Sequence, residues 1–166
     1  MILGMSPATY TFLHVLISLI GIASGLFVMY GLLTGKLLDR ITTIFLTTTV
    51  LTSVTGFGFP FEQLLPSHKV GILSLVVLAI AILARYVFHL RGAWRWIYVI
   101  TAAMSLYLNV FVLVVQLFRK MPALTALAPT QSEPPFLIAQ LIVLAVFAAL
   151  TVLAVKKFRG VNLQGA

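Results

Sequence analysis

Apolar residues fall in five long runs, and polar residues gather between them. The runs cover residues 9–33, 41–59, 70–90, 96–118 and 136–155. Each holds about 19 to 25 residues, enough to cross a hydrocarbon core of about 30 Å at about 1.5 Å per residue. Strict alternation of apolar and polar positions is absent, and the runs are about twice the length of a barrel strand. The pattern predicts an all-α membrane protein: five transmembrane helices forming one bundle, with residues 1–166 as a single transmembrane helical domain. The second run is the most polar. It carries Thr42, Thr43, Thr47, Thr48, Thr49, Thr52, Ser53 and Thr55, and it ends in Gly56-Phe57-Gly58-Phe59-Pro60, a helix-stopping cluster. Such hydroxyls bond back to their own helix carbonyls, so lipid tolerates them.

Composition supports this reading. The chain is 61% hydrophobic and 8% charged, against about 25% charged residues in soluble domains. The net charge of +8 does not point to nucleic acid, because the basic residues flank apolar runs instead of lining a soluble face. They fit anionic membrane lipids and topology. With five spans, Lys36, Arg40, Arg85, Arg91, Arg95, Lys156, Lys157 and Arg159 share one side, and Lys69, Arg119 and Lys120 the other. The positive-inside rule then places the N-terminus outside and the C-terminus in the cytoplasm. Trp94, Trp96 and Tyr98 are expected at the inner interface. No cysteine is present, which excludes disulfides, thiolate nucleophiles and Cys-ligated metals. The first run is too long for the apolar core of a cleavable signal peptide.

Polar residues inside the runs carry the candidate chemistry. His14, Ser18, Gly21 and Gly25 share one helix face, and the two glycines form a GxxxG pair suited to close helix approach. Asn109 and Gln116 share a face of the fourth run, and Gln140 lies one turn into the fifth. Alternating spans bring His14, Asn109, Gln116 and Gln140 to the outer half of the bundle. Glu62, His68 and Glu133 lie in the loops above. At the other end, Arg85 and His89 are expected to snorkel or to contact a lipid headgroup or another anion. Each feature also has a plainer role. Asn109 and Gln140 can join helices at about 1 kcal/mol each, and His14 can simply pack. Ser67 and Ser132 can cap the third and fifth helices, the latter ahead of Glu133-Pro134-Pro135.

His14, Asn109, Gln116 and Gln140, in an apolar pocket with Tyr107, suit a quinone or another lipid-like ligand. His14, His68, Glu62 and Glu133 offer two imidazoles and two carboxylates, a set suited to a divalent metal, although their spacing matches no known motif. A haem held by His14 and His68 is conceivable, whereas His14 and His89 lie at opposite ends. No span is broken in mid-membrane and no acid lies deep in a helix, as a transport pathway would favour. Neither a serine elbow nor HExxH is present. The small-residue stripes also suit docking to other membrane proteins. The expectation is an accessory or ligand-binding membrane protein with a polar site near the outer face. The alternatives are a redox or metal-dependent membrane enzyme and a transporter.

Four segments together carry a resemblance: TTVLTSVTGFGFPF (residues 48–61), PSHKVGI (66–72), LYLNVFVLVVQ (106–116) and APTQSEPPF (128–136). They resemble a family of small, uncharacterised bacterial inner-membrane proteins, over residues 9 to 159. The resemblance implies a bacterial plasma-membrane location. It implies no activity, cofactor or site residue.

Overall fold

A computed structural model describes residues 4–59 and 66–159. Its helices are α1 (Pro7–Leu33), α2 (Asp39–Gly56), α3 (Pro66–Ile82), α4 (Trp94–Lys120), α5 (Pro122–Leu127) and α6 (Pro134–Lys157). A π-helical turn, Leu83–Val87, extends α3. Four stretches are long and apolar enough to cross a membrane: Pro7–Leu33, His68–Val87, Trp94–Lys120 and Pro134–Lys157. The 18-residue α2 is not among them, because its hydroxyls dilute its apolar character. Five of those hydroxyls are satisfied within the helix, while Thr42 Oγ1 is buried without a partner among the described residues. Thr43, Thr48, Thr52, Ser53 and Thr55 each donate to the carbonyl four residues back, at 2.7 to 3.0 Å.

Helix ends follow local chemistry. The Ser6 hydroxyl accepts the Thr9 N–H at 3.1 Å, and Pro7 brings no orphan N–H to the first turn of α1. The cap of α6 is Glu133, not Ser132 as expected. Pro134 and Pro135 open that helix, so its first turn has two fewer donors to satisfy and no serine cap is required. The third helix starts at Pro66, which puts Ser67 inside the first turn and not before it. The helical path from α3 ends at Val87. His89 and Leu90 then take left-handed φ values of 50° and 57°, so His89 is a turn residue and not a further helical position.

The glycine face of α1 is packed as its spacing predicts. A Cβ on Gly25 would stand 2.6 Å from Leu106 Cδ1 and 2.8 Å from Phe45 Cε2. Only hydrogen fits between α1, α2 and α4 there. Around this crossing lie Phe45, Leu78, Tyr98, Leu106 and Phe158, all buried. By contrast, α6 buries only Gln140, Phe147 and Ala154. From residue 136 to 155 its remaining surface is apolar except for Thr151, as expected of a helix facing lipid.

Side-chain pairs fix the directions of the helices. Asp39, which begins α2, pairs with Arg85 beyond the end of α3. Phe57, just past α2, stacks on His68 in the first turn of α3, with ring centroids 5.7 Å apart. The two helices are therefore antiparallel and matched in length. A Cβ on Gly35, after α1, would meet the Lys157 carbonyl oxygen at 3.7 Å. The C-terminal ends of α1 and α6 thus lie at the Arg85 end. The connection from α4 to α6 folds back on α4. The Thr125 hydroxyl donates to the Phe118 carbonyl and Gln131 Nε2 to the Val115 carbonyl, each at 2.8 Å.

Candidate functional site

Between α1, α2, α3 and α4, at the end away from Arg85, lies a cavity of about 530 Å³. Its apolar wall includes Val15, Leu19, Ile22, Val112, Leu113 and Phe57. Its polar lining includes His14, His68, Asn109, Gln116 and Lys120. The sequence spacing had placed His14, Asn109 and Gln116 together, and the structure does so. His68, expected above them, is buried in the same wall.

Each side chain is held by its helix neighbours. His14 Nδ1 lies 2.8 Å from the Thr55 hydroxyl on α2. Phe59 meets His14 and Tyr10 in edge-to-face contacts, with ring centroids 5.2 Å and 5.1 Å apart. Tyr10 donates to the Thr55 carbonyl at 2.7 Å, which ties the start of α1 to the end of α2. Deeper in, Asn109 Nδ2 donates to the Thr49 hydroxyl at 3.3 Å. The Ser53 and Ser74 hydroxyls meet at 3.1 Å where α2 faces α3. Along α4, Asn109, Gln116 and Lys120 succeed one another at spacings of seven and four residues, so they make one stripe from the deep wall to the mouth.

Other expected members are elsewhere. Gln140 does not line the cavity. It is buried between α6 and α4, where its Nε2 donates to the Phe111 carbonyl at 3.2 Å. This is the helix-joining role that an intramembrane amide commonly takes. Tyr107 also faces away, packing on Phe111 and Phe147. Glu133 lies in the connection and turns back on its own loop. It accepts from the Thr130 hydroxyl at 2.8 Å and from the Thr130 and Ser132 N–H groups at 3.1 Å. Desolvation pushes its pKa up, but these hydrogen bonds outweigh it and hold the carboxyl below its ordinary range. Glu62 lies outside the described residues. Among the described residues no three His, Asp or Glu side chains gather as a metal site would need. Sequence reasoning did not single out Tyr10, and it read Thr55 only as one of the hydroxyls of the second run. The signal available for Thr55 was its place at the last turn of α2, level with His14.

At the opposite end, Arg85 does not snorkel. It is 8% exposed, ion-paired to Asp39, and its Cζ stands over the rings of Tyr86 at 5.3 Å and Tyr98 at 5.7 Å. Its Nε and Nη1 have no acceptor among the described residues. Within the protein its partners are the Asp39 carboxylate and two aromatic faces. Tyr98, expected at the interface, is fully buried, because the guanidinium needs its ring. His89 is exposed, and Trp94 stacks on Phe88 at 3.8 Å.

No protein family, curated protein or solved structure matches this chain, so any functional reading rests on the geometry of the chain itself.

Proposed function

We propose that the chain is a five-span protein of the bacterial plasma membrane that binds a lipid-like amphiphile in the cavity between α1 and α4. The observation that carries this reading is the pairing of a cavity of about 530 Å³, mostly apolar, with a few fixed polar groups. Binding sites for small amphiphiles have this character. Binding and not turnover fits the wall at His14, where the Thr55 hydroxyl beside the imidazole donates its proton to the Leu51 carbonyl. The matched lengths of α2 and α3 support α2 as the fifth span. The excess of basic residues at the Arg85 end supports a cytoplasmic C-terminus, and the resemblance of four segments supports the bacterial location.

Purification in mild detergent, with mass spectrometry of solvent-extracted lipid, tests the cavity. A stoichiometric amphiphile is expected with the natural chain. It should disappear in Leu113→Trp, which fills the cavity from α4. Equal lipid on both proteins would overturn the reading. The chain has no cysteine, so single cysteines at Lys36 and Glu133 report topology directly. An impermeant thiol reagent added from outside should label only the second.

A second reading keeps one specific observation, that two imidazoles, His14 and His68, line the same cavity. A redox or metal-dependent membrane enzyme would use them as ligands to haem or a divalent ion. A visible spectrum and metal content of the same preparation distinguish it. A Soret band, or metal lost in His14→Ala, favours this reading.

A further inference from the structure

The Thr55 hydroxyl has one proton to donate. It donates to the Leu51 carbonyl at 2.7 Å, with the Thr52 carbonyl at 3.2 Å. Its oxygen also lies 2.8 Å from His14 Nδ1. With the proton committed to the backbone, the hydroxyl meets His14 as an acceptor. The hydrogen of the neutral ring is then on Nδ1, and Nε2 presents a lone pair. No partner for Nε2 occurs among the described residues, and His14 lines the cavity. The Thr55 position is itself fixed, because Tyr10, 4% exposed, donates to its carbonyl at 2.7 Å. Tyr10, His14, Thr55 and Phe59 thus form one braced wall.

We infer that Thr55 sets the tautomer of His14, so that the cavity selects an amphiphile whose head group donates a hydrogen bond. Phenols, quinols, alcohols and protonated carboxylic acids belong to this class. Ligands with only carbonyl or ether oxygens do not. The inference rests on the cavity being a ligand site. Thr55 is a positioning residue that acts through His14. A carbonyl-only ligand requires a hydrogen on Nε2. Thr55 must then withdraw its proton from Leu51 and turn it to Nδ1, sacrificing one hydrogen bond. The expected preference is about fivefold to tenfold, the net worth of one such bond.

The test uses the full chain in detergent with an alkylphenol and its methyl ether as matched probes. The natural chain is expected to bind the phenol about fivefold to tenfold tighter. Thr55→Val removes the acceptor and should bring the two affinities to within about twofold, while Thr55→Ser should keep the preference. A readout independent of ligand is nitrogen NMR of ¹⁵N-histidine-labelled protein at a pH where the rings are neutral, with His14→Gln assigning the signal. Hydrogen on His14 Nδ1 is expected, moving to Nε2 in Thr55→Val. Hydrogen on Nε2 in the natural chain overturns the inference, even if the variants fail to fold. Equal binding of both probes overturns it too but leaves the cavity as a ligand site. Binding of neither probe overturns the cavity reading and this inference with it.

Discussion

Arg85 and His14 are both polar groups on apolar, span-length helices, near opposite ends of one bundle, yet their surroundings differ. Around Arg85 the protein supplies a counter-charge and ring faces itself: a carboxylate from α2 and the aromatic faces of Tyr86 and Tyr98. Around His14 the protein supplies one hydrogen-bond partner, Thr55, and then leaves a space of about 530 Å³. A buried cation without a counter-charge is costly, so the Arg85 end must be closed. A neutral imidazole with one nitrogen satisfied tolerates an open neighbour. The difference separates a structural end from a receptive one.

That comparison breaks if substitutions at the two ends have similar effects. The largest loss is expected in the closed region. Gly25→Leu forces a side chain where a Cβ alone would stand 2.6 Å from Leu106. It should cost about 3 kcal/mol, read as a lowered unfolding midpoint in detergent. Asp39→Ala leaves Arg85 buried without its carboxylate. Because Asp39 is itself 77% exposed, the cost should be nearer about 2 kcal/mol than that of a fully buried pair. At the open end, Gln116→Leu should change the midpoint by less than about 1 kcal/mol, since its side chain faces the cavity. It should nonetheless weaken amphiphile binding severalfold in a titration. A destabilisation as large as that of Gly25→Leu would mean the cavity lining is structural.

The smallest effect concerns Glu133. Its pKa is lowered in the folded chain from the ordinary 4.5. A carboxyl with a lowered folded pKa binds more protons when unfolded. Its contribution is therefore complete above the ordinary value and is lost as pH falls through the folded one. Unfolding midpoints of the natural chain and of Glu133→Gln should differ slightly at neutral pH and converge below about pH 4. Divergence on acidification would contradict the loop hydrogen bonds.

Much of this architecture is legible in the chain alone. Lipid demands helices of a certain length, so the runs around residues 9–33 and 96–118 stand out at once. The seven-residue step from Asn109 to Gln116 fixes one face of α4, and His14 had to share their end. The features hidden from the sequence depend on rotation about a helix axis. Gln140 has no polar neighbour on α6 to define a face, so nothing told whether it met the cavity or the α4 backbone. Tyr98 reads as an interfacial ring until the guanidinium beneath it is seen. Asp39 and Arg85 are 46 residues apart, and neither shows in its local pattern that the other is its partner. Thr55 is one of eight similar hydroxyls, and only the packing of α1 on α2 singles it out.

The turn that carries Arg85 has a consequence for how this chain tolerates changes in length. Residues 83–87 wind as a π-helical turn, with the Phe88 N–H reaching back to the Leu83 carbonyl at 2.9 Å. Such a turn holds one more residue than an α-helical turn would. Deleting one residue there lets the helix close as α, and because the π turn had taken the extra residue into a single turn, the downstream chain keeps its rotation. Phe88 would still face Trp94, and the left-handed pair at His89 and Leu90 would leave the helix in the same direction. A single-residue deletion within the π turn that spares Arg85 is therefore expected to be milder than one in the preceding α-helical turns of α3, where everything downstream would rotate by about 100°.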